Sequence, residues 1–158
     1  MKKLFLALLF AILTLPSLCL AAEPVITSDT RTFNPLNGVY DLSGNVFVQF
    51  PAHDTMMTIT GDYTQVNIYK MEVHGNSNIK LSYADMNFSC DKVDVYSSQR
   101  TAYVSGNLSF KDGTNIITAD SGTYNWKTKE ASFSGNVNVN GTPQQKDIVY
   151  NVLTKQIQ

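Results

Sequence analysis

The chain contains only two cysteines, Cys19 and Cys90, among its 158 residues. Cys19 lies in an N-terminal apolar segment that we expect to be removed, so one cysteine remains and no internal disulfide can form. Cys90 occupies a position where similar segments of the chain carry serine, glycine or alanine. We therefore interpret it as a small buried hydrophobic residue. The disulfide framework of small secreted domains is excluded.

Charge is also scarce. The sequence has 12 Lys and Arg residues against 13 Asp and Glu residues, a formal net charge of −1 at pH 7. Removal of Lys2 and Lys3 would leave 10 basic residues against the same 13 acidic ones, a net charge of about −3. Because the sequence has no basic cluster, binding to nucleic acid has no electrostatic support.

Motifs of enzymes are nearly absent as well. His53 and His74 are the only histidines. There is no Gly-x-Ser-x-Gly motif, no phosphate-binding loop and no His or Cys pair at the spacing of metal ligands. We interpret His74 as a solvated strand residue and His53-Asp54 as a loop with a weak metal or acid–base signal. The sequence therefore predicts no catalytic residue, no metal and no cofactor.

The first 22 residues have the pattern of a signal peptide. Lys2 and Lys3 precede an apolar stretch over residues 4–15, and Ala21 and Ala22 supply small residues for cleavage. The alternative is a retained membrane anchor, but a membrane span needs about 20 apolar residues and this stretch is shorter. We expect cleavage after Ala21 or Ala22, which leaves a single domain over residues 23–158.

The sequence does contain an internal repeat. Four Gly-Asn pairs begin at Gly44, Gly75, Gly106 and Gly135, with spacings of 31, 31 and 29 residues. Apolar residues lie at nearly all even offsets from each glycine, and polar residues lie at most odd offsets. This period of two predicts β-strands with one buried and one solvated face. The glycine lies in register with the apolar face, which is typical of a β-bulge or of close approach by another group.

A second motif precedes each Gly-Asn pair. It consists of an apolar, a hydroxyl and a small residue followed by an aspartate, at Asp29, Asp62, Asp91 and Asp120. The glycine follows the aspartate by 15 residues in three units and by 13 in the second. Each unit is therefore predicted to hold two strands and two turns. We predict an all-β domain of about 4.5 repeats, with nine or ten short strands in all.

Tight turns are predicted at Asn37-Gly38, Asp112-Gly113 and Asn140-Gly141, the dipeptides most typical of hairpins. The apolar residues at the even offsets are predicted to line one continuous interior. They are Leu42, Val46, Val48, Ile59, Val73, Ile79, Val104, Leu108, Phe110, Ile117, Phe133, Val137 and Val139.

The order of these motifs resembles the OstA-like family. Ile117-Thr118-Ala119-Asp120, and the Ser-Gly-Asn-Val segments that begin at Ser43 and Ser134, carry the resemblance, which extends from Val25 to about Val152. The family includes the periplasmic lipopolysaccharide-transport protein LptA and the periplasmic domain of LptC. The resemblance implies antiparallel strands in a V-shaped, partly open β-jelly roll with an apolar groove.

The resemblance also implies a function. It is that of a non-enzymatic carrier in the periplasm of a diderm bacterium, which binds lipopolysaccharide or another acylated glycolipid in the groove. LptC-like inner-membrane and LptD-like outer-membrane proteins of the same fold would be its partners. Two alternatives remain open at this point. One is a structural β-solenoid or adhesion module with a filled core. The other is an LptC-like subunit that keeps its anchor.

Strand edges at the two ends of the domain predict head-to-tail self-association, because terminal strands leave backbone N–H and C=O groups unpaired. The residues proposed for these edges are Val25, Ile26 and Thr27 at one end and Ile148, Val149, Tyr150 and Val152 at the other. Such contacts are heterologous and can extend into filaments.

Overall fold

The computed structural model describes residues 24–52, 55–113 and 115–158. The predicted signal peptide and the His53-Asp54 loop lie outside the described residues. Among the described residues there is no helix, and hence none long and apolar enough to cross a membrane.

The described residues form thirteen strands: β1 (Val25–Thr27), β2 (Thr30–Asn34), β3 (Val39–Ala52), β4 (Thr55–Asn67), β5 (Glu72–Tyr83), β6 (Met86–Tyr96), β7 (Thr101–Asp112), β8 (Asn115–Asn125), β9 (Glu130–Ser134), β10 (Asn138–Val139), β11 (Thr142–Pro143), β12 (Ile148–Asn151) and β13 (Gln156–Ile157). All pairings between them are antiparallel. The predicted all-β fold of repeated antiparallel strands is confirmed.

The strands follow one another in a single open sheet. Its order is β1-β3-β4-β5-β6-β7-β8-β9-β12-β13, while β2 also pairs with β3, and β10 pairs with β8 and β11. The expectation of nine or ten short strands is wrong, because β3 to β8 are each 11–14 residues long. The repeat motifs do not end these strands. They lie in the middle of them.

Each long strand changes register with its neighbours at its middle. The shifts lie between Ser43 and Val46 in β3 and between Ser105 and Leu108 in β7, and at matching points of β4, β5 and β6. Bulges of this kind bend a strand and increase its twist. Here the bends line up across the sheet, and we name this line the crease.

The crease divides the sheet into two walls that face each other. Wall 1 holds residues 30–34, 39–43, 63–67, 72–76, 92–96, 101–105, 121–125, 130–134, 148–151 and 156–157. Wall 2 holds residues 25–27, 46–52, 55–60, 79–83, 86–89, 108–112, 115–119, 138–139 and 142–143. The hairpin turns of the two walls lie farthest from the crease, and we name the gap between them the mouth.

Candidate functional site

The space between the walls contains the predicted groove residues. All thirteen belong to the hydrophobic core or pack against it. Twelve expose only 0–4% of their surface, and Val139 is partly buried. Phe47 and Ser109, which alternate with them along β3 and β7, are more exposed. The period of two therefore assigned the inner face of the strands correctly.

The inner face carries an apolar row that crosses wall 1 from edge to edge. Strand register places these residues side by side: Phe33, Tyr40, Val66, Val73, Val95, Ala102, Tyr124, Ala131, Tyr150 and Ile157. The middle of the row is buried, but Phe33 and Ile157 at its ends are 42% and 45% exposed. The apolar surface therefore continues to both ends of the wall.

The part of the interior built by the first strands opens as a cleft at the mouth. Its apolar walls come from Val48 and Phe50 of wall 2 and from Val66 and Val73 of wall 1. Ile68, Met71 and Ser97 are among the turn residues that border it, and its free volume is only about 10 Å³, so the side chains nearly fill it. Most of its lining is apolar, so a hydrocarbon chain is the kind of group it would accept once the walls move apart.

The part built by the later strands is filled by aromatic rings from both walls. Phe110 of wall 2 lies 5.2 Å from Phe133 and 5.4 Å from Tyr150 of wall 1, measured between ring centroids. Tyr83 of wall 2 lies 5.7 Å from Tyr124 of wall 1. These ring pairs hold the two walls together at this end. The sequence prediction included Phe110 and Phe133 but missed the three tyrosines.

A polar cluster closes the mouth above the aromatic rings. Lys155 Nζ, in the turn before β13 of wall 1, donates to Asp112 Oδ1 at 2.7 Å and to Asp85 Oδ2 at 2.8 Å, both on the wall 2 side. Tyr150 donates its hydroxyl to Asp112 Oδ2 at 2.9 Å and accepts from Asn115 Nδ2 at 3.0 Å. We name Lys155, Asp85, Asp112 and Tyr150 the clasp.

Contacts and burial in the clasp shift the pKa values of Lys155, Asp85 and Tyr150. The hydrogen bonds to Asp112 and Asp85 raise the pKa of Lys155 above its ordinary value, and the hydrogen bond from Lys155 lowers the pKa of Asp85. Burial raises the pKa of Tyr150. At neutral pH Lys155 is therefore an ammonium group, Asp85 a carboxylate and Tyr150 a protonated phenol that donates its hydrogen.

The repeated aspartates have a structural role at the crease. In each unit the aspartate accepts a hydrogen bond, at 2.5–2.9 Å, from an asparagine 16 residues later: Asp29 from Asn45, Asp62 from Asn78, Asp91 from Asn107 and Asp120 from Asn136. The residue before each asparagine has a positive φ. We name each of these Asp–Asn hydrogen bonds a bracket, because it links neighbouring segments of the sheet at the bend.

In the second unit the bulge lies two residues after its predicted position. Gly75 and Asn76 lie in regular strand pairing with Thr64 and Tyr63, and the bulge instead contains Ser77 (φ 65°) and Asn78 (φ 54°). The aspartate-to-asparagine spacing is therefore the same in all four units. Since the error is two residues, the inner-face assignment of Val73 and Ile79 is unchanged.

The glycines of the bulges do not provide open space for a ligand. A Cβ atom at Gly44, Gly106 or Gly135 would lie 2.5 Å from the carboxylate oxygen of the bracketing aspartate. The absence of a side chain therefore serves the bracket, because the group that closely approaches each of these glycines is the aspartate.

A first prediction follows for the exceptional bulge. Ser77→Gly is expected to raise the free energy of unfolding by about 1 kcal/mol, because a non-glycine residue pays roughly that amount in the left-handed region. Ser89→Gly, on a regular exposed strand position, should lower it by about 0.5–1 kcal/mol. Urea denaturation of both variants measures the difference, and equal effects of the two changes would contradict the assignment of the bulge.

The remaining candidates for chemistry have ordinary structural partners. Cys90 is 5% exposed and donates to the Lys92 carbonyl, and burial raises the pKa of its thiol to about 11. His74 is on the outer face, where its Nδ1 lies 2.7 Å from Asp94 Oδ1. The described residues contain no group of three or more His, Cys, Asp or Glu side chains placed to hold a metal ion.

The proposed association edges are placed differently by the structure. Val25, Ile26 and Thr27 form β1, which ends the strand order and pairs on one side with β3. Ile148, Val149 and Tyr150 lie in β12, with Val152 just beyond it, but β12 pairs with both β9 and β13. The last unit therefore has a short second strand, and β13 is the terminal strand at that end.

Comparison with known proteins was informative at the level of structure. No protein-family model matches the sequence. No curated protein sequence matches it either. Among solved structures, the chain is similar to LptH of Pseudomonas aeruginosa, described as the LptA-homologous periplasmic component of the lipopolysaccharide transport device, with a TM-score of 0.58 and 12% identity. The match covers 65% of this chain and 76% of LptH.

The chain has an LptA-like fold. The open, unclosed antiparallel sheet of this chain is consistent with an LptA-like β-jelly roll, which confirms the predicted fold. In this LptA-like roll the walls, the crease and the mouth are built by the repeat, whereas the cleft and the clasp arise from side chains that differ between units.

Proposed function

We propose that this chain is a non-enzymatic periplasmic carrier that binds the acyl chains of lipopolysaccharide, or of another multi-acylated glycolipid, between its two walls. The observation that carries the proposal is the continuous apolar inner face. It runs through both walls and reaches the mouth in the cleft formed by Val48, Phe50, Val66 and Val73. Covering acyl chains with such a surface removes hydrocarbon from water, at about 25 cal/mol per Å².

The likeness to LptH supports the same role, because LptH is described as a component of a lipopolysaccharide transport device. On this proposal the cleft receives an acyl chain first, since its lining is mainly apolar and no ion pair between described residues holds the walls together across it. The polar headgroup then remains outside, near the turns of the two walls. A cleaved signal peptide over residues 1–22 would deliver the domain to the periplasm.

Site-specific photo-crosslinking in cells tests the lipid site. A photo-reactive side chain at Phe50, which lines the cleft, is expected to capture lipopolysaccharide. The same side chain at Gln49, the next residue of β3 and on the outer face, is the matched control and should capture none. Equal labelling at the two positions, or no labelling at either, would rule out the proposed lipid site.

We also propose that the roll associates end to end with copies of itself and with LptC-like and LptD-like partners of the same fold. At one end β1 and β2 border β3, with Val25 and Phe33 exposed, and at the other end β13 exposes Ile157. Strand addition at these edges would pair backbone groups and join the apolar rows of neighbouring molecules.

Light scattering over a range of concentrations measures this association. Ile157→Lys is expected to weaken it by roughly tenfold or more, because a charge would replace an apolar contact at the junction and about 1.4 kcal/mol corresponds to tenfold. Gln156→Lys adds the same charge to the opposite face of β13 and should have little effect. A wild-type chain that stays monomeric at high concentration would contradict the proposed association.

A further inference from the structure

The clasp is unusual because it places a carboxylate on the inner face. Register puts Asp112 in the inner row of wall 2 beside Met86, in line with Tyr83, Met57 and Phe50. Asp112 is 0% exposed. An unpaired charge in such a position would be very costly. Its cationic partner is Lys155 of wall 1, so the closed mouth at this end depends on a contact between the walls.

The contacts at this end also differ in kind from those at the cleft. Lys129 of wall 1 donates to the Tyr83 hydroxyl of wall 2 at 3.3 Å, which adds a second polar link across the mouth. In the described part of the chain, the ion pairs that connect the two walls are those of Lys155. No such link lies across the cleft among these residues. One end of the mouth is thus held by charge, and the other is bordered mainly by apolar side chains.

Polar links and apolar packing respond differently to opening. Separating two apolar surfaces exposes them to water at a cost that grows with area. An ion pair exchanges its partner for water instead, and this exchange offsets part of the cost of separating the two charges. The Lys155 ammonium group is already half exposed, so water reaches one side of the pair.

A buried hydroxyl behind the clasp lacks a partner. Tyr124 OH is buried and makes no hydrogen bond to any described residue, although its ring packs between Tyr83 and Phe88. Opening the mouth here would therefore expose an interior with a free hydrogen-bond donor as well as aromatic surface. An acyl chain linked through an ester or amide carbonyl could use both.

We propose that the Lys155–Asp112–Asp85 clasp is a releasable closure of the lipid-binding interior. It holds the walls together over the aromatic end, and acyl chains occupy that end only after Lys155 leaves the two carboxylates. The inference rests on the proposed function and adds an order of filling. The cleft fills first, and the aromatic end fills when the clasp opens.

Spin-label distance measurements test the closure without any ligand. Spin labels are attached through Lys111→Cys in wall 2 and Glu130→Cys in wall 1, in a chain whose Cys19 and Cys90 are replaced. The distance between the two labels reports the separation of the walls. Asp112→Asn with Lys155→Met removes both charges and is expected to broaden and lengthen this distance. Lys92→Met with Asp94→Asn removes an ion pair of 2.9 Å within wall 1 and is the matched control, which should change nothing.

Photo-crosslinking with lipopolysaccharide as the probe tests the order of filling. In the Asp112→Asn, Lys155→Met variant, capture at Phe110 should rise roughly tenfold, as expected if a minor open state of about 10% becomes the main one. Capture at Phe50 should not change. A variant with Asp85→Cys and Lys155→Cys, joined by a short bis-maleimide, should lose capture at Phe110 and keep it at Phe50.

The outcomes separate the two proposals. No capture at Phe50 in the unmodified chain overturns the proposed function, while the spin-label distances still report on the clasp. Normal capture at Phe50, with unchanged distances and unchanged capture at Phe110, overturns the clasp. If the Asp112→Asn, Lys155→Met variant loses its strand signal in circular dichroism, the bis-maleimide variant tests the closure in its place. Full capture at Phe110 with the mouth locked would then refute the closure.

Discussion

Replacing Leu108 with aspartate is expected to unfold the domain at room temperature. Leu108 is 1% exposed and lies on the inner face of β7, beside the crease. The change forfeits about 2 kcal/mol of apolar burial and leaves an unpaired buried charge at a cost of about 3–5 kcal/mol. The sum is comparable with the whole stability of an ordinary domain, about 5–15 kcal/mol. Circular dichroism during urea denaturation measures the loss.

The matched control is the next residue of the same strand. Ser109→Asp adds the same charge on the outer face, where Ser109 pairs with Ser89 and Thr118 of the neighbouring strands. We expect a change within about 1 kcal/mol, because surface substitutions outside special contacts are usually small. If Ser109→Asp were as damaging as Leu108→Asp, the assignment of the two faces would be wrong.

The sequence predicted the inner face because the side-chain period of a strand is two. Phe110, two positions from Leu108, and Val104, four positions from it across the bulge, lie on the same face as Leu108. This is also why the error in the second unit did little harm. Placing the bulge at Gly75 and not at Ser77 displaces the predicted repeat by two residues, which is one side-chain period of a strand. Val73 and Ile79 therefore stay on the inner face.

The correct frame of the second unit could have been found in the sequence. The Gly-Asn dipeptide is a misleading marker here, because Gly75-Asn76 lies two residues before the bulge at Ser77 and Asn78. The physical unit is the bracket, in which Asp62 is bound by Asn78 at the same spacing as in the other units. The spacing between aspartate and asparagine carries the signal, since a hydrogen bond depends on it, and Ser77 shows that glycine is not required before the asparagine.

The clasp lies beyond what sequence patterns can predict. Asp112-Gly113 predicts a tight turn because Asp-Gly is a strong hairpin signal, and no motif includes Lys155. Their 43-residue separation carries no period, and their contact requires the two walls to face each other at the mouth. The same holds for the division of the interior into a cleft and an aromatic end, which depends on rings from five different strands.

The second large effect is expected at a bulge glycine. Gly106 has φ 76°, and a Cβ atom there would lie 2.5 Å from Asp91 Oδ2 and 2.8 Å from Asp91 Cβ. Gly106→Ala should therefore cost about 1–2 kcal/mol for the left-handed backbone. It should cost roughly 1 kcal/mol more because Asp91 must release Asn107. Urea denaturation should show a loss of about 2–3 kcal/mol in all.

Gly141→Ala separates the two causes. Gly141 also has a left-handed backbone, with φ 85°, but no atom lies within 4 Å of its would-be Cβ position. It should show the backbone cost alone, about 1–2 kcal/mol. In the double variant Asp91→Ala, Gly106→Ala the steric conflict is gone, so the two losses should add up to less than their separate values. Full additivity would mean that Asp91 does not bracket the bend, and that the crease is held by the strands alone.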